Sequence, residues 1–84
     1  MNDHKEIIKE LENIFRKVLD NNQINLKSDT TSNELEQWDS LNHILIVLEI
    51  EKSFFIKITA GEIAELKSVD KICQLIKEKV SKKV

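Results

Sequence analysis

Residues 38–50 have the sequence WDSLNHILIVLEI, in which a dense apolar stretch begins directly after an aspartate and a serine. Asp39 is a favoured N-cap residue, and the apolar residues from Leu41 onward have the three- and four-residue spacing of a helix. Ser40 therefore falls at about the first helical position, beside unpaired backbone N–H groups and the positive end of the helix dipole. A phosphate ester on its hydroxyl would be stabilised there, although on these residues alone a plain helix cap is the simpler interpretation.

The size and composition of the chain predict a small helical domain. The sequence has 84 residues, of which 40% are apolar, and we expect a single domain over residues 1–84. A core of this size buries only roughly 60–65% of the surface of the unfolded chain, so a deep catalytic cleft is not expected. With no proline, one glycine and four aromatic residues, the composition favours an all-α fold and a carrier or interaction role rather than an enzyme.

The charge pattern argues against nucleic-acid binding. The formal net charge is -2, and the lysines are scattered except near the C-terminus. Lysines in the last turn of a helix complement the negative end of its dipole, and we assign that role to the C-terminal group. This group consists of Lys77, Lys79, Lys82 and Lys83.

Cysteine, histidine and hydropathy patterns predict a soluble, cytoplasmic protein without a metal site. The lone Cys73 excludes an internal disulfide and lies in an apolar helical stripe, which indicates a buried thiol. His4 and His43 have no metal-ligand spacing with it. Residues 1–10 are too charged for a signal peptide, and the apolar stretch 44–48 is far shorter than the roughly 17–25 residues of a membrane span.

Apolar periodicity and capping residues predict three longer helices and one short helix. Helix one is expected from about Asp3 to Leu19, helix two from Ser40 to about Lys52, helix three from Ala60 to Leu66, and helix four from Val69 to about Lys79. Thr59 and Glu62 form a predicted capping box for helix three, which Gly61 should weaken and make mobile. Ser68 is the predicted cap of helix four.

Two connections complete the predicted fold. The first spans nearly twenty residues, with Ile24, Leu26 and Leu35 as expected anchors and one short turn capped by Thr31 and Glu34. Loops of this length tend to be functional or to position the next element, which in this chain begins at Ser40. The second connection, residues 54–58, is apolar and is expected to close the end of the bundle.

Helix two is apolar around most of its circumference. Seven of its residues are apolar: Leu41, Ile44, Leu45, Ile46, Val47, Leu48 and Ile50. A central helix explains such a pattern, and an exposed apolar strip for a partner explains the residues that the core does not use. The core is expected to take the larger share.

Taken together, these features resemble the acyl carrier protein family. The resemblance rests on Trp38-Asp39-Ser40-Leu41, the apolar helix 44–50, Phe54 just beyond it and Lys67-Ser68-Val69 at the start of the last helix. It covers nearly the whole chain and implies a small four-helix bundle with a long loop after helix one. It also implies that Ser40 carries a covalent 4'-phosphopantetheine, added from coenzyme A by a phosphopantetheinyl transferase. The thiol of that group would hold acyl or aminoacyl intermediates as thioesters.

The resemblance also assigns supporting residues and partners. Asp39 would cap the helix and help place the coenzyme in the transferase complex, and Leu41 would pack at the modification site. The implied partners of this monomer are the transferase, an acyl-activating ligase or acyltransferase, and a downstream synthase or transferase. The expected docking residues are Asn42, His43, Leu45, Leu48, Glu51 and Glu62.

Several residues depart from the family pattern and indicate a specialised pathway rather than housekeeping fatty acid synthesis. Asn42 and Leu45 stand where carboxylates are common, and Phe55 replaces a small or polar residue and is expected to narrow any acyl cavity. His43 is expected to be a polar surface residue rather than a catalyst. Trp38 resembles specialised stand-alone carriers, and its alternative role is a hydrophobic staple on Leu41 or Leu45.

Other functions stay open at the level of sequence. A peptidyl or D-alanyl carrier serving an adenylation enzyme would use the same Ser40. An unmodified helical adaptor would use helix two only as a docking strip, with Ser40 as part of a cap. A self-contained enzyme is disfavoured, because Asp39, Ser40 and His43 lie on one turn with no third group to orient the histidine.

Overall fold

The part of the chain that the computed structural model describes, residues 4–81, contains four helices: α1 (His4–Val18), α2 (Ser40–Phe54), α3 (Ala60–Glu65) and α4 (Val69–Ser81). The predicted all-α fold, with three longer helices and a short third one, is confirmed. Each described helix end lies within two residues of its predicted position. Asp3, the predicted start of helix one, lies outside the described residues, as do Lys82 and Lys83.

The core lies between α1, α2 and α4, because each presents a buried apolar face at helical spacing. Trp38 from the long loop and Ile56, Ile58 and Leu66 from the later connections complete it. The buried helical residues are Ile7, Leu11, Ile14 and Phe15 on α1, Ile46, Val47 and Ile50 on α2, and Val69, Ile72, Cys73 and Ile76 on α4. The short α3 has no buried residue. It therefore lies against the bundle rather than inside it.

Local capping chemistry fixes the later helix starts as predicted. Thr59 accepts a hydrogen bond from the Glu62 N–H, and the Glu62 carboxylate accepts one from the Thr59 N–H, which completes the capping box. The Ser68 hydroxyl accepts from the Lys71 N–H at 3.2 Å at the start of α4.

The connection after α2 differs from the prediction. Phe54 belongs to α2, and Phe55 has a left-handed backbone (φ 56°) that ends the helix, with its N–H bonded to the Glu51 carbonyl. Its side chain is 77% exposed, so the expectations that Phe55 closes the bundle and narrows an acyl cavity are both wrong. The reversal of the chain at this left-handed residue turns the ring outward. Ile56 and Ile58 instead enter the core.

The long loop between α1 and α2 is held against α1. Ile24 and Leu26 are buried as predicted, and Leu35 packs partly buried against the same core. The Arg16 guanidinium donates to the Ile24 carbonyl at 2.9 Å, and the Glu12 carboxylate accepts from the Leu26 N–H at 2.9 Å. These bonds satisfy loop backbone groups that would otherwise lie unpaired beside the core.

The predicted short turn is present farther along this loop. The Glu34 carboxylate accepts from the Thr31 N–H at 2.9 Å, and the Glu34 N–H donates to the Thr31 carbonyl. Within residues 4–81, no helix is both long and apolar enough to cross a bilayer.

Candidate functional site

The site begins at the first turn of α2. Asp39 has an extended backbone, and its carboxylate accepts a hydrogen bond from the Asn42 N–H at 2.9 Å, as predicted for an N-cap. Ser40 is the first residue of the helix, and its side chain is exposed. The remaining N–H groups of a first helical turn have no intrahelical acceptor, and no acidic side chain occupies this turn. An anionic group on the Ser40 hydroxyl would therefore lie in a favourable field.

Trp38 anchors this turn to the core. Its side chain is only 4% exposed, and its ring stands edge-on to Phe15 of α1, with centroids 4.8 Å apart. Its indole N–H donates to Nδ1 of His43 at 2.8 Å. The position of Ser40 is thus fixed by a buried aromatic residue two positions before it.

His43 is half-buried, and the expectation of a polar surface residue is wrong. Its Nδ1 accepts from Trp38, while its Nε2 lies 2.8 Å from the carbonyl oxygen of Ile63 in α3. The predicted staple between Trp38 and Leu41 or Leu45 is also wrong, because Leu41 is 68% exposed and the ring stacked near Trp38 is that of His43. His43 is four residues after the N-cap, which is the usual staple position.

A groove lies beside Ser40, between the start of α2 and α3. Its volume is about 170 Å³ and it opens to solvent. Trp38 and His43 form one side, and the face of α3 forms the other. We call it the Ser40 groove; it is lined by Ser32, Trp38, Asp39, Ser40, His43, Ile63, Ala64, Leu66 and Lys67.

Three predicted docking residues make bonds within the protein. The Asn42 amide donates to the Gln37 carbonyl at 2.8 Å, and the Glu51 carboxylate accepts from the Ile58 N–H at 2.8 Å. Glu62 pairs with Lys79 of α4 at 2.9 Å. The hydrogen bond from Lys79, followed by those from Thr59, lowers the pKa of Glu62. These side chains therefore have structural roles.

Two of the other predicted docking residues, Leu45 and Leu48, belong to an exposed apolar strip on α2, whereas His43 does not. Leu41 and Ile44, which were not among the predicted docking residues, also belong to this strip. We call these four residues the α2 strip; their exposed fractions range from 41% to 68%. The expectation that the core uses the larger share of the apolar residues of α2 is wrong, because only Ile46, Val47 and Ile50 of the seven are buried.

The spacing of α2 contains the signal that separates these two sets. Positions 41, 44, 45 and 48 form one stripe at intervals of three and four residues, and positions 43, 46, 47 and 50 form a second. The second stripe is the one that faces the core, and His43 is its first member. The sequence divides α2 into these two stripes, but both are largely apolar, so the exposure of Ile44 and the partial burial of His43 follow only from the structure.

Basic and acidic side chains border the strip. A groove of about 590 Å³ runs between α1 and α2 and is lined by Lys17, Val18, Leu45, Leu48, Glu49, Glu51 and Lys52. Lys17 bonds to Glu49 at 3.0 Å, and this hydrogen bond is the largest cause of the lowered pKa of Glu49. The carboxylates nearest the strip are thus already paired.

Cys73 is buried, as predicted, far from solvent in α4. Burial raises the pKa of its thiol to about 11. It is therefore a packing residue rather than a nucleophile. Among residues 4–81, no group of three or more His, Cys, Asp and Glu side chains is arranged to hold a metal ion.

Comparison with known proteins identifies a structural relative. A scan against protein-family models found no match, and a search of curated proteins found none. Among solved structures, the chain is similar to a holo acyl carrier protein from Geobacter metallireducens, whose solution NMR structure is known. The two sequences are 34% identical, the match covers 92% of this chain and 88% of that chain, and the TM-score is 0.83.

Proposed function

The chain belongs to the acyl carrier protein family, and we propose that Ser40 carries a 4'-phosphopantetheine whose thiol holds an acyl or aminoacyl group as a thioester. The observation that carries this assignment is the exposed Ser40 hydroxyl at the first position of α2, capped by Asp39 and beside a groove. We also propose that the described helices belong to one carrier domain, and that the protein is cytoplasmic.

The residues around Ser40 suit this group. Formation of the phosphodiester joins the Ser40 Oγ to the phosphorus of the pantetheine phosphate, breaks the phosphoanhydride bond of coenzyme A, and releases adenosine 3',5'-bisphosphate and the hydroxyl proton. The first turn of α2 offers N–H groups and a positive dipole end to the resulting anion. Asp39 keeps that turn wound, because its carboxylate holds the Asn42 N–H. The lining of the Ser40 groove includes apolar Ile63 and Leu66 and polar Ser32 and Lys67, which suits a chain that contains both amide and methylene groups.

The chain's own contribution is presentation. The bound group supplies thioester chemistry, and the protein supplies attachment, a lateral groove and a surface for partner enzymes. Tethering gives each docked enzyme a high effective concentration of the intermediate. In this proposal the chain is not itself an enzyme, and its partners are a phosphopantetheinyl transferase, an acyl-activating ligase or acyltransferase, and a downstream synthase or transferase.

Intact mass measurement tests the attachment. The purified protein is incubated with coenzyme A and a promiscuous phosphopantetheinyl transferase, and we expect the mass to increase by one phosphopantetheine. Ser40→Ala should gain nothing. Ser53→Ala, which removes another exposed serine of α2, should gain as much as the wild type. No gain in the wild type, or an equal gain in Ser40→Ala, would favour the unmodified adaptor instead.

The α2 strip supports a specialised partner set. Its exposed residues are apolar, and nearby Glu49 and Glu62 are paired with lysines of this chain. A partner that recognises this surface would need a complementary apolar patch more than a basic one. This feature favours a dedicated pathway over housekeeping fatty acid synthesis.

Leu45→Glu tests the role of the strip. We expect it to leave folding and loading of Ser40 largely unchanged and to slow transfer between the carrier and its downstream enzyme about tenfold or more, since a charge would be desolvated in the contact. Transfer rates are measured with the ligase or synthase encoded beside this gene. Ser53→Glu adds the same charge to α2 outside the strip and should have little effect. Equal rates for wild type and Leu45→Glu would remove the strip from the docking surface.

The identity of the group carried on the thiol depends, like the partner set, on the pathway that the protein serves. A fatty acyl group, a specialised short acyl group, an amino acid and D-alanine can all be carried on the same arm. An adenylating ligase among the gene neighbours would support a peptidyl or D-alanyl carrier, whereas a ketosynthase would support fatty acid or polyketide synthesis.

A further inference from the structure

His43 connects three separate parts of the chain. It belongs to α2, its Nδ1 accepts from the indole of Trp38 at the end of the long loop, and its Nε2 lies 2.8 Å from the Ile63 carbonyl in α3. Trp38 in turn packs on Phe15 of α1. A single half-buried imidazole therefore links the core to α3, which forms the far side of the Ser40 groove.

The short helix α3 depends on such links. It has six residues, none of them buried, so packing alone holds it weakly. Glu62 ties it to Lys79 of α4, and the bond between His43 and Ile63 ties it to α2. The latter bond lies at the groove itself.

We propose that His43 is a positioning residue that sets the width of the Ser40 groove by holding α3 against the start of α2. The significance of the groove for a tethered arm rests on the proposed function of Ser40. The positioning itself is a property of the unmodified protein, and it can be measured without the arm.

The hydrogen bonds to Trp38 and Ile63 define which tautomer of His43 holds α3 in place. An indole N–H can only donate, so Nδ1 must be the acceptor and Nε2 must carry the proton that is donated to Ile63. A second proton on Nδ1 would face the indole N–H and break that bond.

The charged groups around the imidazole have opposite signs. Asp39 at the N-cap and Lys67 after α3 line the same groove as His43, while the uncharged Phe15 of α1 contacts Trp38. Within α3, Glu62 is paired with Lys79 of α4, and Glu65 is exposed.

Two substitutions separate positioning from simple packing. His43→Gln can accept from Trp38 through its carbonyl oxygen and donate to Ile63 through its amide, so it can keep both hydrogen bonds. His43→Leu keeps an apolar group in the buried stripe and loses both bonds. The unmodified protein is studied by hydrogen exchange of the α3 amides and by fluorescence of Trp38, the only tryptophan of the sequence.

We expect α3 amides in His43→Leu to exchange about 2- to 10-fold faster than in the wild type at pH 8, the effect of losing a single net hydrogen bond, while α1 amides are unchanged. His43→Gln should exchange like the wild type. Trp38 emission should change in His43→Leu, which leaves the indole N–H without its acceptor, and should stay close to that of the wild type in His43→Gln.

Two results would overturn the proposal. One is unchanged α3 exchange in His43→Leu, and the other is α3 exchange in His43→Gln that is as fast as in His43→Leu. Because both readouts use protein without the arm, they are independent of the Ser40 mass test. If no arm is attached at Ser40, the positioning role of His43 can still be confirmed. If His43 does not position α3, attachment at Ser40 can still be observed.

Discussion

Phe55 ends α2 in a conformation that L-residues rarely adopt. Its φ of 56° places Cβ close to backbone atoms, and this arrangement is usually reserved for glycine or asparagine at a helix C-terminus. The same residue exposes a large aromatic ring. The left-handed conformation of Phe55 therefore lowers the free energy of unfolding by about 1 kcal/mol.

Replacement of Phe55 tests the backbone strain. We expect Phe55→Gly to be more stable than Phe55→Ala by about 1 kcal/mol, because alanine keeps the Cβ and glycine does not. Both variants lack the ring, so their difference isolates the backbone term. The measurement is the free energy of unfolding from urea denaturation. Equal stabilities would show that the left-handed conformation is not strained.

At the level of single residues, the sequence predicted those whose partners are local. Asp39, Thr59 and Ser68 cap helices through N–H groups three residues later, so short-range rules identify them. The role of His43 depends on Ile63, twenty residues away, and on the rotation of α2 about its axis. Residue type alone favours the surface for a lone histidine, and the sequence does not show which of the two stripes of α2 is buried.

Among the elements, α2 shows why helix existence is easier to predict than helix orientation. Its apolar content and its N-cap predicted where it starts. Apolar residues on two stripes leave the buried side of α2 undetermined until α1 packs against it. The stripe that stays exposed is the α2 strip, and its amino-acid composition does not distinguish it from a stripe that faces the core.

The short α3 gives a pH-dependent prediction. The Glu62 carboxylate is stabilised by Lys79 and by the capping box, which lower its pKa in the folded state. A lowered pKa means that this contribution to stability is present above pH 4.5 and is lost as the pH falls through the folded value. We therefore expect Glu62→Gln to lower the urea midpoint slightly at about pH 7.

This effect should shrink as the pH falls from about 4.5 toward 3, because the wild-type carboxyl is then neutral as well. Glu65→Gln is the matched control, since Glu65 lies on the same helix and is exposed. It should leave the midpoint unchanged at both pH values. A Glu62→Gln deficit that is independent of pH would mean that the ion pair with Lys79 does not contribute.

For the whole molecule, the long loop acts as a further packing element. The Thr30 carbonyl accepts from the Val69 N–H at 2.8 Å, and the Ser32 N–H donates to the Lys67 carbonyl at 2.9 Å. These bonds join the middle of the loop to the start of α4. The anchors Ile24 and Leu26 were predictable as apolar residues in a polar segment, but the pairing with α4 was not, because it depends on how the chain returns across the bundle.

Thiol reactivity provides a test of the packed molecule as a whole. Cys73 is the only cysteine of the sequence, and burial raises its pKa to about 11, so at about pH 8 its thiolate is scarce and shielded. We expect the native unmodified protein to show no rapidly reacting thiol with Ellman's reagent. The same protein in concentrated guanidinium should show one.

Protein treated with coenzyme A and the transferase should differ in a defined way, since the proposed arm on Ser40 would end in a free thiol. The native form that carries the unacylated arm is expected to react rapidly at one thiol, and the same form after unfolding at two. Ser40→Ala treated with the transferase should behave like the unmodified protein. A rapid thiol in the native unmodified form would contradict the burial of Cys73 between α4 and the core. The two thiols differ in exposure rather than in chemistry. The number of thiols that react rapidly in the native and unfolded forms therefore reports separately on the burial of Cys73 and on attachment of the arm at Ser40.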